Sequence, residues 1–240
     1  QKEIRDASLA AILAWKAGEP VALEAPSDED LVEMLTSSMG EKVPTEYGEM
    51  TNAQLGQTPM KWENKIDVPE SFNVIVIGAG VSGLATAVSL QGARVPFTVL
   101  ERRSNVAGVW QDNRYPGAGV DTPSHLYSFS FAPYDWSAYF ALRGELGDYF
   151  ESVAEDFDLK KSINFETNVI STEYQADTQS WKVQVAYADG SEETLEANVV
   201  ISCAGIFNPP AFPNIQGLDS FTGESWHTAE WPEGKSLDGK

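Results

Sequence analysis

The sequence is poor in cysteine, histidine and positive charge, and each shortage excludes a class of function. Cys203 is the one cysteine among 240 residues, so no internal disulfide staples the chain and a reducing compartment is expected. The two histidines, His125 and His227, belong to no Cys/His cluster with metal-ligand spacing. Only 16 Lys+Arg stand against 36 Asp+Glu, giving a formal net charge of −20. Nucleic acid and anionic membrane surfaces repel such a chain. No apolar run approaches the roughly 20 residues that a membrane span needs, and Gln1 to Lys16 lacks the basic and apolar layout of an export signal. Internal repeats and low-complexity stretches are absent too. What is left, 42% hydrophobic and 22% charged residues, is a globular composition with enough chain for a core. An acidic, cytoplasmic protein is expected.

The first 66 residues read as a helical N-terminal extension. Leu9, Ile12, Leu13 and Lys16 fall at helical spacing, and Gly18-Glu19-Pro20 ends that helix. Ser27 is a fitting N-cap for a second helix, with Asp30 three residues on approximating a capping box. Leu31, Met34 and Leu35 form its apolar face and Gly40 stops it. Glu41 to Asp67 has little periodicity and reads as an extended connector. The extension is expected to pack on the main domain or on a second subunit, the latter making the protein a homodimer.

Residues 67–240 change register. Val74-Ile75-Val76-Ile77 is a β-branched run without polar alternation, as expected of a strand buried on both faces. Gly78-Ala79-Gly80-Val81-Ser82-Gly83 follows, then a helix-like Leu84 to Gln91 and a second strand, Pro96 to Leu100, ending in Glu101. This strand–turn–helix–strand unit predicts a Rossmann-like α/β domain that binds a dinucleotide. Gly78 permits the tight turn, Gly80 lets the backbone approach a pyrophosphate, and Gly83 lets helix and strand pack closely. The helix N-terminus offers N–H groups and a positive dipole end. Glu101, 18 residues after Gly83, can accept from both ribose hydroxyls, which disfavours a 2′-phosphate. The motif itself does not choose between NAD and FAD.

Asp148 to Asp156 reads as a helix. Asn168 to Tyr174, Trp181 to Ala186 and Thr194 to Ala197 read as a small β-meander with Asp189-Gly190 in its second turn. Val199 to Cys203 reads as another buried strand, which leaves Cys203 inert. Between Ala107 and Phe131 lies a long, Gly-rich, aromatic segment with little periodicity. Such a segment needs something large to cover it, a flat isoalloxazine ring or a second domain.

Phe221-Thr222-Gly223-Glu224-Ser225-Trp226-His227-Thr228-Ala229-Glu230-Trp231-Pro232 has the spacing F-x-G-x-x-x-H-x-x-x-W-P. It resembles the fingerprint of type I Baeyer–Villiger monooxygenases. Relatives that oxygenate soft nucleophiles or hydroxylate amines usually lack the Trp-Pro ending. Asn113-Arg114-Tyr115-Pro116-Gly117 with Asp121, and Cys203-Ala204-Gly205 with Pro213, resemble the same family. The acidic extension is similar in layout to that of the 4-hydroxyacetophenone monooxygenase branch.

The resemblance implies FAD, reduced by NADPH, which reacts with O2 to a C4a-peroxyflavin that converts a ketone into an ester or lactone. It also implies that Gly78, Gly80, Ser82 and Gly83 hold the FAD pyrophosphate and Glu101 the adenosine ribose. Val109 and Trp110 lie along the cofactor, Asp121 tunes a catalytic arginine beside the flavin, Tyr127 walls the same pocket, and Val169 meets the adenine side through its backbone. His227 is expected to couple NADPH binding to the flavin rather than to transfer a proton, and His125 to be structural. No second GxGxxG occurs in the 240 residues. The expectation is therefore the FAD-binding part of a longer enzyme, inactive alone. A non-catalytic flavin-binding or assembly module, and a flavin monooxygenase acting on sulfur or nitrogen, remain open alternatives.

Overall fold

Helices of about 15 residues or fewer are marginal alone in water, so those of the N-terminal unit depend on caps and partners. The computed structural model describes residues 2–19, 25–55, 57, 67–207 and 209–239 and divides into two units, Gln1–Met60 and Lys61–Lys240. The first unit holds α1 (Lys2–Lys16), α2 (Asp28–Met39) and α3 (Glu46–Gln54). At the start of α2 the expected capping box is complete. The Ser27 Oγ accepts from the Asp30 N–H at 3.1 Å, and Asp30 Oδ2 accepts from the Ser27 N–H at 3.1 Å. Gly40, at φ 72°, ends the helix in the left-handed region. Leu31 is buried, whereas Met34 of the predicted apolar face is exposed. On α1, Leu9, Ile12 and Leu13 are likewise exposed. Pro20 of the predicted first stop lies outside the described residues.

α3 corrects the sequence reading, which made Glu41 to Asp67 an extended connector. The helix carries no apolar stripe that periodicity could reveal. It is held by a tertiary contact, because Gly48 packs so tightly on α2 that a Cβ there would lie 2.4 Å from the Asp28 carbonyl oxygen. The Asn52 amide also donates to Asp28 Oδ1 at 2.8 Å. Most of the predicted connector beyond Leu55 lies outside the described residues.

The second unit is a mixed α/β domain. In chain order it contains β1 (Val74–Ile77), α4 (Val81–Ala93), β2 (Phe97–Leu100), α5 (Val109–Asp112), α6 (Arg143–Asp156), β3 (Ile163–Asn164), β4 (Thr167–Gln175), β5 (Ser180–Tyr187), β6 (Glu192–Ala197) and β7 (Val199–Ser202). Four strands form a sheet in the order β3-β2-β1-β7, and β4-β5-β6 form a separate antiparallel sheet. β1 pairs in parallel with β2 (Val74 opposite Phe97) and with β7 (Val74 opposite Val199). Parallel neighbours need a crossover, which α4 supplies between β1 and β2.

The unbroken β-branched run of β1 now has its reason. Alternate side chains point to opposite faces. Val74 and Val76 enter a core with Leu84 and Val88 of α4 and Tyr149, Phe150 and Val153 of α6. Ile75 instead joins Leu100 and the β5 residues Val183 and Val185 beneath the meander. Two features depart from the sequence reading. β7 ends at Ser202, is an edge strand of the described sheet, and leaves Val199 exposed, so it is not buried on both faces. The very short α5 and β3 carried no periodic signal of their own.

Candidate functional site

β1 delivers the chain into a turn that only particular residues can make. Gly78 takes φ 98°, and a Cβ there would lie 2.8 Å from the Cys203 carbonyl oxygen. At Gly83 a Cβ would lie 1.8 Å from the Gly78 carbonyl oxygen, so α4 seats on the turn only because this residue has no side chain. Gly80 is the N-cap of α4 and no side chain caps the helix there. The first N–H groups of α4, Ser82 among them, therefore face a ready anion position. Ala107 braces the turn from behind, donating its N–H to the Ala79 carbonyl at 3.1 Å from the left-handed region at φ 81°.

Glu101 directly follows β2 and is buried, with 5% exposure. Its Oε2 accepts from the Ala79 N–H at 2.7 Å and its Oε1 from the Arg103 N–H at 2.9 Å. The carboxylate thus ties the glycine-rich turn to the end of the neighbouring strand. An ionised carboxylate has about four acceptor positions, so these two bonds leave capacity for ribose hydroxyls. Arg103 extends the tie. Its guanidinium pairs with Asp112 of α5, and its carbonyl accepts from the Glu166 N–H at 3.0 Å.

These parts surround a cavity of about 520 Å³, within the usual range for a small-molecule site. Of the sequence-predicted residues, Gly78, Gly80, Ser82, Glu101, Val109, Tyr127 and Val169 line it. Val169 stands at a register shift in the β4–β5 ladder, and such bulges re-aim backbone next to functional sites. Gly83 acts from beneath by packing. Trp110 does not line the cavity. Its Nε1–H donates to the Tyr127 hydroxyl at 3.2 Å, with the rings edge to face at 5.8 Å, so it backs a residue that does.

Asp121 is exposed and outside the cavity lining, and His227, half-buried, is outside it too. The His227 Nδ1 accepts from the Ala229 N–H at 3.1 Å, capping the 3-10 turn Thr228–Glu230, and its ring meets Phe212 edge-on at 5.4 Å. His125 is exposed. Among the described residues no cluster of potential metal ligands occurs. Cys203, expected to be inert in a buried strand, is half-buried and lines the cavity. The reason is that β7 stops one residue earlier.

Sequence reasoning missed Arg102, Arg103 and Asp112, all of which line the cavity. The Glu-Arg-Arg run at the end of β2 was the available signal. It went unread because the partner, Asp112, is fixed only by folding. The aromatic segment is ordered from α6. The buried Tyr149 hydroxyl accepts from the Phe129 N–H at 2.7 Å and donates to the Ala132 carbonyl at 2.9 Å. Burial pushes the Tyr149 phenol above its ordinary value of 10.0, and the Phe129 hydrogen bond pulls the other way more weakly.

Residues 71–240 match the flavin-binding monooxygenase-like family. Over all 240 residues the chain is 41% identical to an uncharacterised monooxygenase, y4iD, of Sinorhizobium fredii, covering 36% of that protein. Over 175 residues it is 39% identical to a Baeyer–Villiger monooxygenase of Streptomyces coelicolor, an alignment covering 72% of this chain and 33% of that one. Among solved structures, OTEMO in complex with FAD and NADP is similar at a TM-score of 0.62 and 33% identity, over 70% of this chain and 32% of that chain. The chain spans about a third of the length of these relatives.

Proposed function

Because this chain belongs to the flavin-binding monooxygenase-like family, we propose that it is the FAD-binding portion of an enzyme that uses NADPH and O2 to convert ketones into esters or lactones. The observation that carries the reading is the uncapped start of α4 behind Gly78 and Gly83, with the Glu101 carboxylate bonded to the same turn and lining the same cavity. A donor set made of backbone N–H groups, with a carboxylate at its side, fits a diphosphate joined to a ribose. When bound, FAD supplies the redox chemistry: NADPH gives the electron pair, one oxygen atom enters the ketone and the other leaves as water.

This chain's residues bind and orient. Gly80 and Ser82 present N–H groups to the diphosphate, Glu101 takes the adenosine ribose, and the Val169 backbone borders the adenine. Val109 and Tyr127, the latter backed by Trp110, wall the pocket. The names of the Streptomyces enzyme and of the FAD- and NADP-bound structure support the cofactors and the ketone chemistry. Asp121, exposed at the end of its motif, is read as orienting an arginine beside the flavin. His227, as the cap of its turn, is read as coupling NADPH binding to the flavin.

The test has two arms. The chain purified with FAD should retain stoichiometric flavin, and Gly83→Val should abolish retention. The longest natural form of the protein should consume NADPH with a cyclic ketone and release a lactone. Oxygenation of a sulfide or amine alone would replace the ketone reading, and failure of the wild-type chain to hold flavin would end both. The extension is assigned to the 4-hydroxyacetophenone monooxygenase branch and to a homodimer contact. The branch assignment rests on the acidic helical layout alone, and the dimer contact on the exposed Leu9, Ile12 and Leu13. Leu9→Glu with Leu13→Glu should convert dimer to monomer in light scattering.

A further inference from the structure

Basic residues are scarce in this chain, yet three of them converge on a cavity that has no part in the cofactor site. The cavity, about 510 Å³, is lined by Arg114, Arg143 and Lys235 with Glu233 and the Trp231 indole, and shares no residue with the cofactor cavity. Its parts come from the Asn-Arg-Tyr-Pro-Gly loop, the first residue of α6 and the segment after the Trp-Pro pair.

The two guanidiniums are drawn together by one acceptor. The Arg114 Nε–H donates to the Gln111 carbonyl at 2.9 Å, and Arg143 Nη2 reaches the same carbonyl at 3.5 Å. Neither forms an ion pair among the described residues, unlike Lys235, which pairs with Glu224 and lies 5.4 Å over the Trp226 ring. The Arg143 Nε is buried without a hydrogen-bond partner. Like charges held side by side raise each other's free energy. One anion with several oxygens in the cavity offsets that repulsion, bonding to the outer guanidinium nitrogens rather than to the buried Arg143 Nε. The guanidinium fork matches such a group through paired hydrogen bonds.

The geometry points to a phosphate-binding site at Arg114 and Arg143, for phosphate either free or carried on a small metabolite. Two guanidiniums balance a phosphate dianion better than a single carboxylate, and Trp231 with Pro116 and Pro232 offers an apolar wall to an attached organic group. Lys235, already balanced, sits at the rim.

The experiment is calorimetric titration of the 240-residue chain, in excess FAD and at constant ionic strength, with inorganic phosphate and with phenyl phosphate. Saturable binding of either is expected, weakened about tenfold or more in Arg114→Gln/Arg143→Gln. It should be unchanged in Lys161→Gln, whose exposed ion pair with Asp158 lies elsewhere. Tighter binding of phenyl phosphate assigns the site to a phosphorylated metabolite, and equal binding to free phosphate. Should the double variant misfold, the exposed Arg114→Gln alone carries the comparison, with binding weakened about threefold or more. Absence of saturable binding for both probes, or wild-type affinity in the arginine variants, overturns the proposal.

Discussion

Glu101 shows how much of the site rests on a single side chain. A buried carboxylate survives because each oxygen has a donor, and here both donors are backbone N–H groups, of Ala79 and Arg103. Glu101→Ala would orphan both at once, at about 1–3 kcal/mol for each unsatisfied buried group. The turn that presents α4 to the cofactor would also lose its anchor. FAD affinity, followed by quenching of flavin fluorescence, should fall about tenfold or more, with a matching drop in urea stability. Unchanged flavin affinity with lowered stability would leave Glu101 a purely structural tie. At this scale the sequence was most legible where spacing alone dictates geometry. Gly78 and Gly83 sit at fixed offsets from one strand, and the tight turn and close packing follow from those offsets; for Glu101 the offset gave the place but not its bonds to Ala79 and Arg103. Arg103 and Arg143 were not legible, because their partners lie on elements brought close only by the fold.

Among elements, α6 organises more than its own helix. Tyr149 lies in its middle, fully buried, and fastens Phe129 and Ala132 of a segment without periodic structure. Tyr149→Phe keeps the ring and removes both bonds, so destabilisation of about 1–3 kcal/mol is expected from the stranded Phe129 N–H and Ala132 carbonyl. The pH dependence has a defined sign. The folded phenol titrates above 10.0, the ordinary value that the unfolded chain keeps. Between those two values the unfolded state has released a proton that the folded state retains. Stability contributed by Tyr149 is therefore whole below 10.0 and is lost as pH rises through the folded value. Urea midpoints measured from pH 8 to pH 11 should fall more steeply in wild type than in Tyr149→Phe; parallel slopes would refute the assignment. The same helix shows what sequence reading reached. Its apolar face was visible from Tyr149, Phe150 and Val153, and the β1–α4–β2 unit from its β-branched runs. α3 was invisible, since packing of Gly48 and not a stripe holds it. β7 was misread as fully buried because its Val-Val-Ile sequence records propensity, not its place at an edge.

For the whole molecule the decisive quantity is the net charge of −20, set against an anionic diphosphate ligand. Total charge can be read from a sequence, but the local balance cannot. Arg102 and Arg103 stand at the cofactor cavity beside Glu101 and Asp112, so the cavity itself is nearly neutral while the surrounding field is acidic. At about 10 mM salt the screening length is about 30 Å and an approaching cofactor senses the entire chain; at about 150 mM it is about 8 Å and only nearby groups count. Repulsion at a distance and attraction at contact act on different steps. The association rate of FAD with the flavin-free chain should rise several-fold between those salt concentrations. The dissociation rate should change little, since the contacts proposed inside the cavity are backbone hydrogen bonds, which salt screens least. Stopped-flow fluorescence quenching separates the two. An association rate that instead falls with salt would mean that Arg102 and Arg103 outweigh the acidic field, and Arg102→Gln should then abolish that dependence.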